Sequence, residues 1–286
     1  MLSCDKLIEK KQREFTAMKE QKKKHLFTNR QLAALLIPLA LDQLLNSFMG
    51  TVDTLIVSNI GSAAISAVSL VDAINILVVE AFLALAAGGT VVCSQYLGNK
   101  DVEKANKAAG QLVFVTFFLS LLMAVICIAF HEPILRAIFG KVEKEVMDNA
   151  KIYFLFSAVA FPFIALYDDG ASILRAQENS RLPMQISIIA NVLNVVLNLL
   201  FVWGFHLGVG GSACATMLAR AFAMAAVLYE LRKPKWTVHL KSYFSIRPDW
   251  DQIRRILKIG IPSGIENSMF QFGKLAIQST VSMMGT

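Results

Sequence analysis

The stretch of residues 31–57 restricts the possible folds most, because its 27 residues contain only two charges, Asp42 and Asp53. A helix needs about 20 consecutive apolar residues to cross the hydrocarbon core of a bilayer. Pro38 lies near the start of the stretch, and neighbouring helices can satisfy the backbone groups that a proline frees inside a membrane. The stretch therefore predicts a membrane-spanning helix.

The polar residues of this helix are spaced so that they share one face. Gln43, Asn46, Gly50 and Asp53 occupy positions i, i+3, i+7 and i+10. A carboxylate at bilayer depth is costly, so it faces a protein interior or a water-filled cavity. The pattern indicates a pathway for a solute or an ion, with Gln43 and Asn46 as candidates for lining its cavity.

The composition extends this interpretation to the whole chain. Hydrophobic residues make up 55% of the sequence and charged residues 17%, and the mean hydropathy is +0.54. A soluble domain carries about 25% charged residues, whereas here the charges cluster between long apolar runs. We predict an all-α polytopic membrane protein with about seven transmembrane helices, at residues 31–57, 63–92, 108–130, 152–174, 183–205, 208–231 and 259–284.

The distribution of basic residues predicts the orientation of these spans. With the amino terminus inside, the inner segments hold 22 Lys and Arg residues and the outer connections hold four. This bias places the amino terminus in the cytoplasm and the chain in the plasma (inner) membrane as a multi-pass protein. The net charge of +7 thus reflects topology. Membrane lipid is an expected partner, and no nucleic-acid partner is expected.

A weak internal repeat suggests how the spans are grouped. When Pro262 is aligned with Pro38, IPSGIENSMFQFGK matches IPLALDQLLNSFMG, and a glycine follows 23 residues after each proline. Parallel repeats of this kind are a transporter architecture. We expect a basic cytoplasmic tail (1–27), a six-helix amino-terminal lobe (28–231), a cytoplasmic connection (232–252) and the first helix of an incomplete second lobe (253–286). The chain is therefore expected to be truncated, and to need the missing lobe or a second copy for transport.

A second polar stripe lies on the fifth predicted span. Asn191, Asn194 and Asn198 fall at i, i+3 and i+7 on an otherwise apolar helix. One asparagine is more often a hydrogen bond between helices, but three on one face favour a cavity lining. Their oxygens suit sodium and their amides suit a carboxylic acid. Thr216 on the next helix offers a further oxygen.

Other charged residues within the spans have less specific patterns. Asp72 is a candidate for lining the cavity, while Asp168 and Asp169 are expected near the headgroups in a structural role. Arg220 and Lys274 are expected to form ion pairs. The sequence contains no GxxxxGK[ST], HExxH or GxSxG motif, so neither ATP hydrolysis nor another enzymatic activity is expected.

Several stretches resemble the multidrug and toxic compound extrusion (MATE) family of antiporters. They are VDTLIVSNIG (52–61), SQYLGNKD (94–101), ILRAQENSRLPM (173–184), NVLNVVLN (191–198), GVGGSACAT (208–216) and GIPSGIENSMFQFGK (260–274). The resemblance implies two six-helix lobes, of which this chain covers the first and one helix of the second. It also implies an ion gradient, of sodium or protons, in place of a cofactor.

The resemblance also implies a coupling site for a cation. By position, this site falls on Asp53, Asn194, Asn198 and Thr216, with sodium possible at these four residues. Many members of the family have aspartate where this chain has Asn198, which removes one negative charge from the site. Glu178 stands where a glycine is common.

These observations lead to one function hypothesis and two alternatives. The hypothesis is a secondary active antiporter that exports drugs, toxic organic cations or similar amphipathic compounds, driven by a sodium or proton gradient. The first alternative is a flippase for lipid-linked precursors from the same superfamily, a class that often has more basic residues in its cavity. The second is a membrane scaffold fragment without transport activity, which would not need a carboxylate and an asparagine stripe within the bilayer.

Overall fold

The computed structural model describes residues 29–139, 142–240 and 248–283. The predicted basic tail at 1–27 lies outside the described residues, as does part of the predicted connection between lobes. The described residues are mostly helical, and their α-helices are α1 Asn29–Ser58, α2 Ser62–Gly98, α3 Val102–Ala129, α4 His131–Phe139, α5 Lys144–Ala176, α6 Arg181–Asn198, α7 Gly208–Leu231 and α8 Trp250–Met283. A π-helix, Leu199–Gly204, extends α6.

The predicted all-α membrane fold is confirmed. Five helices combine the length and the apolar composition needed to cross a membrane: α2, α3, α5, α6 with its π-helical extension, and α7. Helices α1 and α8 contain 30 and 34 residues, which also exceeds the roughly 20 residues that a crossing requires. These seven helices correspond to the seven predicted spans.

Helix α4 was not predicted, because nine residues are too few for a periodic pattern to be recognised. Ion pairs of Glu132 stabilise its position. Glu132 accepts a hydrogen bond from Lys151 at 3.1 Å and pairs with Arg136 one turn along the helix. The hydrogen bond from Lys151, together with the charges of both basic residues, lowers the pKa of Glu132 below its usual range. This short helix therefore ties the end of α3 to the start of α5.

Two clusters of buried apolar residues form the core, one at each end of the bundle. The first joins the carboxyl ends of α2, α5 and α7 to the amino ends of α3 and α6, and includes Leu112, Ile173 and Leu231. The second joins the opposite ends of α2, α3, α5 and α7 with α1 and α4, and includes Val57, Phe82 and Phe154.

The last helix packs tightly against the second through glycine. A Cβ atom on Gly88 of α2 would lie 2.7 Å from the carbonyl oxygen of Ile256 and 2.8 Å from the amide nitrogen of Gly260, both in α8. These neighbours are backbone atoms and cannot rotate away. Further along this contact, Gln271 donates a hydrogen bond to Glu80 at 3.0 Å. Helix α8 is thus joined to the six preceding spans by close backbone packing.

Gly88→Ala is expected to lower the free energy of unfolding by about 1–3 kcal/mol, because overpacking forces the two backbones apart. Gly50→Ala is the matched control, since no atom lies within 4 Å of the position its Cβ would take. At that exposed helical site, alanine should instead raise the free energy of unfolding by less than about 1 kcal/mol. Thermal unfolding of the detergent-solubilised variants measures both, and equal shifts would contradict the observed packing of α2 against α8.

The connection between α7 and α8 is fastened to the end of the bundle. Gln177 exchanges two hydrogen bonds with the backbone of Val238, at 2.9 and 3.1 Å. Asn106 accepts from the backbone amide of His239 at 2.8 Å. The described part of the connection therefore follows the ends of α3 and α5.

The turn after α5 places Glu178 in a conformation that favours glycine, the residue that the sequence resemblance implies at this position. Glu178 has a φ of 61°, in the left-handed region that glycine adopts most easily. The backbone amide of Asn179 donates to the carbonyl of Leu174 at 3.1 Å, which closes the helix in the usual left-handed manner. A non-glycine residue here costs some strain but leaves the turn intact.

Candidate functional site

Four side chains from three helices form one continuous hydrogen-bonded chain. Asn198 Nδ2 donates to Asp53 Oδ1 at 3.0 Å and to Asn194 Oδ1 at 3.2 Å. Asn194 Nδ2 in turn donates to the Thr216 hydroxyl at 3.1 Å. We call these four residues the Asp53 site. The structure thus brings together the four side chains proposed from the sequence to bind a cation, although their role stays a prediction.

Helix geometry accounts for this arrangement. Asn194 and Asn198 are four residues apart on α6, so their side chains lie one above the other on the same face. That face packs between α1, which carries Asp53, and α7, which carries Thr216. The two asparagines are 5% and 0% exposed. Because a buried amide without partners is costly, these hydrogen bonds fix the relative register of the three helices.

The Asp53 site has an oxygen available for a cation. Asn198 Oδ1 is buried and has no hydrogen-bond partner. It belongs to the same amide that donates to the Asp53 carboxylate, so a free neutral oxygen lies close to a negative one. Carboxylate, amide and hydroxyl oxygens are hard ligands that suit sodium. The residues present therefore fit sodium, with one carboxylate to balance its single charge.

A cluster that could bind a transition metal is not seen in the described ranges. Among these residues, three His, Cys, Asp or Glu side chains do not come together at any point. Cation binding at the Asp53 site would therefore depend on one carboxylate and neutral oxygens. Such a donor set favours a monovalent ion or a proton.

The helical turn that follows Asn198, at the end of α6, is unusual. Leu199–Gly204 forms a π-helix, in which the amide of Phe205 donates to the carbonyl of Leu200 at 2.9 Å. Single π-helical turns are rare and occur often at functional sites. Here the wider turn begins directly after the asparagine that contacts Asp53.

Asp72 belongs to a neighbouring group of polar side chains and is not hydrogen-bonded to the four residues of the Asp53 site. It accepts a hydrogen bond from Asn75 at 3.3 Å and lies beside the Tyr153 hydroxyl. Asn75 also donates to the Ser157 hydroxyl at 3.2 Å. Asp72 is nevertheless a charged neighbour of Asp53. Its role in lining a cavity stays a prediction.

The other three cavity-lining candidates are dispersed. Asn46 donates to Asp42 at 3.4 Å, and Asp42 pairs with Arg175 at 3.5 Å, so this end of α1 is tied to α5. Gln43 is exposed. Asn191 is half-buried, and its amide nitrogen has no hydrogen-bond partner. The buried polar residue at this end of α1 is therefore Asp42, one position before the predicted Gln43.

The expected position of Asp168 and Asp169 near the headgroups stays a prediction, but protein encloses both carboxyl groups. Asp169 is 0% exposed and lies beside the Thr116 hydroxyl, and Asp168 Oδ2 is buried without a hydrogen-bond partner. Helix α5 continues for seven residues beyond Asp169, to Ala176, which places the pair about 10 Å from its end. The sequence pattern located the end of the apolar run but not the helices that cover it.

Sequence reasoning also missed the relation between Arg220 and the Asp53 site. Arg220 follows Thr216 by four residues on α7, so both side chains lie on one face of that helix. Arg220 and Asp72 are the charged neighbours of the Asp53 carboxylate. The i, i+4 spacing was the available signal. What it could not show was which face of α7 contacts α1 and α6.

The fold and the buried polar chain together define a polytopic helical membrane protein with a polar site between its spans. The MatE family model matches residues 38–200, which is more than half of the chain. The chain belongs to the MatE family.

Curated relatives agree with this assignment. The chain is 28% identical over 260 residues to the uncharacterized transporter YisQ of Bacillus subtilis, covering 89% of this chain and 56% of the relative. It is 25% identical over 268 residues to the probable multidrug resistance protein NorM of Thermotoga maritima, covering 90% and 55% respectively. The chain thus spans about half the length of the curated relatives it matches.

A solved structure shows the same fold. A multidrug resistance MATE family transporter of the MOP superfamily, in its outward-facing conformation, aligns with a TM-score of 0.76 and 21% identity. The alignment covers 82% of this chain and 52% of that structure. At this identity the likeness concerns the helical arrangement alone.

Proposed function

We propose that this chain forms one half of a secondary active antiporter that exports drugs, toxic organic cations or similar amphipathic compounds. The family assignment supports a transporter, and the Asp53 site supports coupling to an ion. The observation that carries the proposal is the hydrogen bond from Asn198 to Asp53 at 3.0 Å. It places the carboxylate of a membrane helix against a buried amide whose own oxygen is free.

We propose sodium or a proton as the driving ion, bound at the Asp53 site. A sodium ion would be held by the Asp53 carboxylate, with neutral oxygens from Asn194, Asn198 and Thr216. A proton would occupy the carboxylate itself and neutralise it, which is the electrically equivalent event. Because one carboxylate balances only one positive charge, the two ions are expected to exclude each other. Antiport follows if the amphipathic substrate binds when this charge is absent.

We also propose a location and an assembly for the chain. The bias of basic residues supports a multi-pass protein of the plasma membrane with a cytoplasmic amino terminus. The curated relatives are nearly twice as long as their matched regions. Transport is therefore expected to require a second set of helices, either from further chain or from a second copy. Residues 253–286 are expected to begin this second set.

Proteoliposomes test the proposal directly. The protein is reconstituted as the longest natural chain that contains this sequence, and accumulation of ethidium and tetraphenylphosphonium is recorded under an imposed sodium gradient or pH gradient. Transport of at least one organic cation under one gradient is expected. An anionic dye of similar size serves as the control for leakage. Cation movement that is insensitive to both gradients would contradict ion-driven antiport and favour a flippase or a scaffold.

A further inference from the structure

An apolar groove lies between the last helix and the second and third helices. Its volume is about 490 Å³. Ala81 and Leu85 of α2 and Leu119 of α3 form one side, and residues of α8 from Leu257 to Met269 form the other. Ser268 is the one lining residue with a polar side chain. The groove therefore has the chemistry of a site for a hydrocarbon chain.

Close packing through glycine shapes this groove. A Cβ atom on Gly264 would lie 3.2 Å from the Cβ atom of Ala84, and Gly260 approaches the backbone of Leu85 equally closely. The surface of α8 beside α2 is therefore recessed. Ile261 and Ile265, which are exposed, stand beside these glycines and line the groove. The recess is thus a consequence of how α8 packs against α2.

A wider recess of about 1050 Å³ adjoins the amino-terminal end of the groove. The two share Leu257 and Ile261 as lining residues, so they form one continuous surface. The charged residues that line the wider recess are Arg254, Arg255, Lys258 and Asp251. Three basic groups against one acidic group leave an excess of positive charge. The groove therefore has one basic end.

The basic side chains at this end are available to a ligand. Arg254 and Lys258 are exposed and four residues apart, so they lie on one face of α8. In the described part of the chain, neither of them forms an ion pair. Arg255 donates a hydrogen bond to the Tyr96 hydroxyl at 3.0 Å, which holds it against the end of α2. An anion could therefore approach Arg254 and Lys258 without breaking an existing pair.

The dimensions of this surface match one leaflet of a bilayer. Trp250 lines the basic recess and is 76% exposed, and tryptophan is enriched at membrane–water interfaces. The proposed orientation places this end of α8 on the cytoplasmic side, where anionic lipids attract basic residues. From Lys258 to Met269 the helix rises about 16 Å, close to half of a hydrocarbon core of about 30 Å. The groove thus extends from the headgroup level to about the bilayer midplane.

We propose that the groove and its basic end bind an anionic phospholipid of the cytoplasmic leaflet. Arg254 and Lys258 hold the phosphate, since both side chains donate hydrogen bonds to phosphate oxygens, and one acyl chain lies in the groove. A further transmembrane helix in this place would need acidic side chains beside the basic recess, whereas a phospholipid supplies both the negative charge and the apolar chain. The lining residues include none of the Asp53 site, so the inference is independent of ion coupling and relies only on the proposed orientation.

Native mass spectrometry tests the inference. The longest natural chain that contains this sequence is titrated in detergent with phosphatidylglycerol or with phosphatidylcholine, and the dissociation constant of the first bound lipid is measured. Phosphatidylglycerol is expected to bind at least tenfold more tightly. The double variant Arg254→Gln, Lys258→Gln should weaken phosphatidylglycerol binding at least tenfold and leave phosphatidylcholine unchanged. Ser268→Phe, which fills the groove, should weaken binding of both lipids about fivefold or more.

Two substitutions elsewhere are the matched controls. Arg181 is exposed at the start of α6, on the same proposed side of the membrane, and Ser66 is exposed on α2 outside the groove. Arg181→Gln and Ser66→Phe should each change the affinity less than twofold, and circular dichroism confirms that every variant is folded.

Equal affinity for the two lipids, or an effect of Arg181→Gln as large as that of the double variant, overturns the inference. Displacement of phosphatidylglycerol by an equal concentration of glycerol phosphate also overturns it, because a free phosphate would then be sufficient. Binding that persists in full in Ser268→Phe contradicts a chain in the groove. Gradient-driven transport by the double variant leaves the proposed function standing whatever the lipid result.

Discussion

Asp53→Asn is expected to abolish ion-driven export while the helices stay folded. Asparagine has nearly the same shape as aspartate, and its carbonyl oxygen can accept the hydrogen bond that Asn198 donates at 3.0 Å. The change removes the one carboxylate of the Asp53 site, so that neither sodium nor a proton is held there by charge. Transport of an organic cation in proteoliposomes under either gradient should fall to the rate of protein-free vesicles.

Asp148→Asn is the control for this substitution, because it removes an exposed carboxylate near the start of α5. Its transport rate should match that of the natural protein within about twofold, since surface charges contribute little. Equal helical content of both variants by circular dichroism shows that folding is retained. Undiminished gradient-driven export by Asp53→Asn would move the coupling site elsewhere in the transporter.

Asn198→Leu is expected to have the second-largest effect, and to reduce both stability and transport. The leucine fills a similar volume but donates neither of the two hydrogen bonds, to Asp53 at 3.0 Å and to Asn194 at 3.2 Å. Leaving buried polar partners unsatisfied costs about 1–3 kcal/mol each. We expect a lower unfolding temperature, measured by differential scanning calorimetry. We also expect sodium or proton binding to be weakened at least tenfold, measured by tryptophan fluorescence.

Asn191→Leu separates this effect from the general consequences of placing leucine on α6. Asn191 lies two turns from Asn198 on the same helix, and its amide nitrogen has no hydrogen-bond partner. Replacing a group without partners by an apolar one is nearly neutral or stabilising. If both variants lost cation binding equally, the contribution of Asn198 would come from the helix face as a whole and not from its contact with Asp53.

The candidate site could largely be predicted from the sequence, because its signals are local. The i, i+4 spacing of Asn194 and Asn198 fixes their common face in any α-helix. The cost of a carboxylate in hydrocarbon directs Asp53 toward the protein interior. Two such faces in one bundle are expected to meet, and in the structure they do. For Asp168 and Asp169, the sequence pattern did not indicate that protein encloses their carboxyl groups, because burial depends on neighbouring helices, which are distant in sequence.

The sequence by itself determined the helical membrane class, the seven long helices and the two polar stripes. These properties depend on hydropathy and on the 3.6-residue period, and both act within a single segment. Only the tertiary structure decided which stripes meet, how closely Gly88 approaches Gly260, and that Arg175 pairs with Asp42. Such relations depend on the rotation and packing of whole helices, which shape complementarity between distant segments sets.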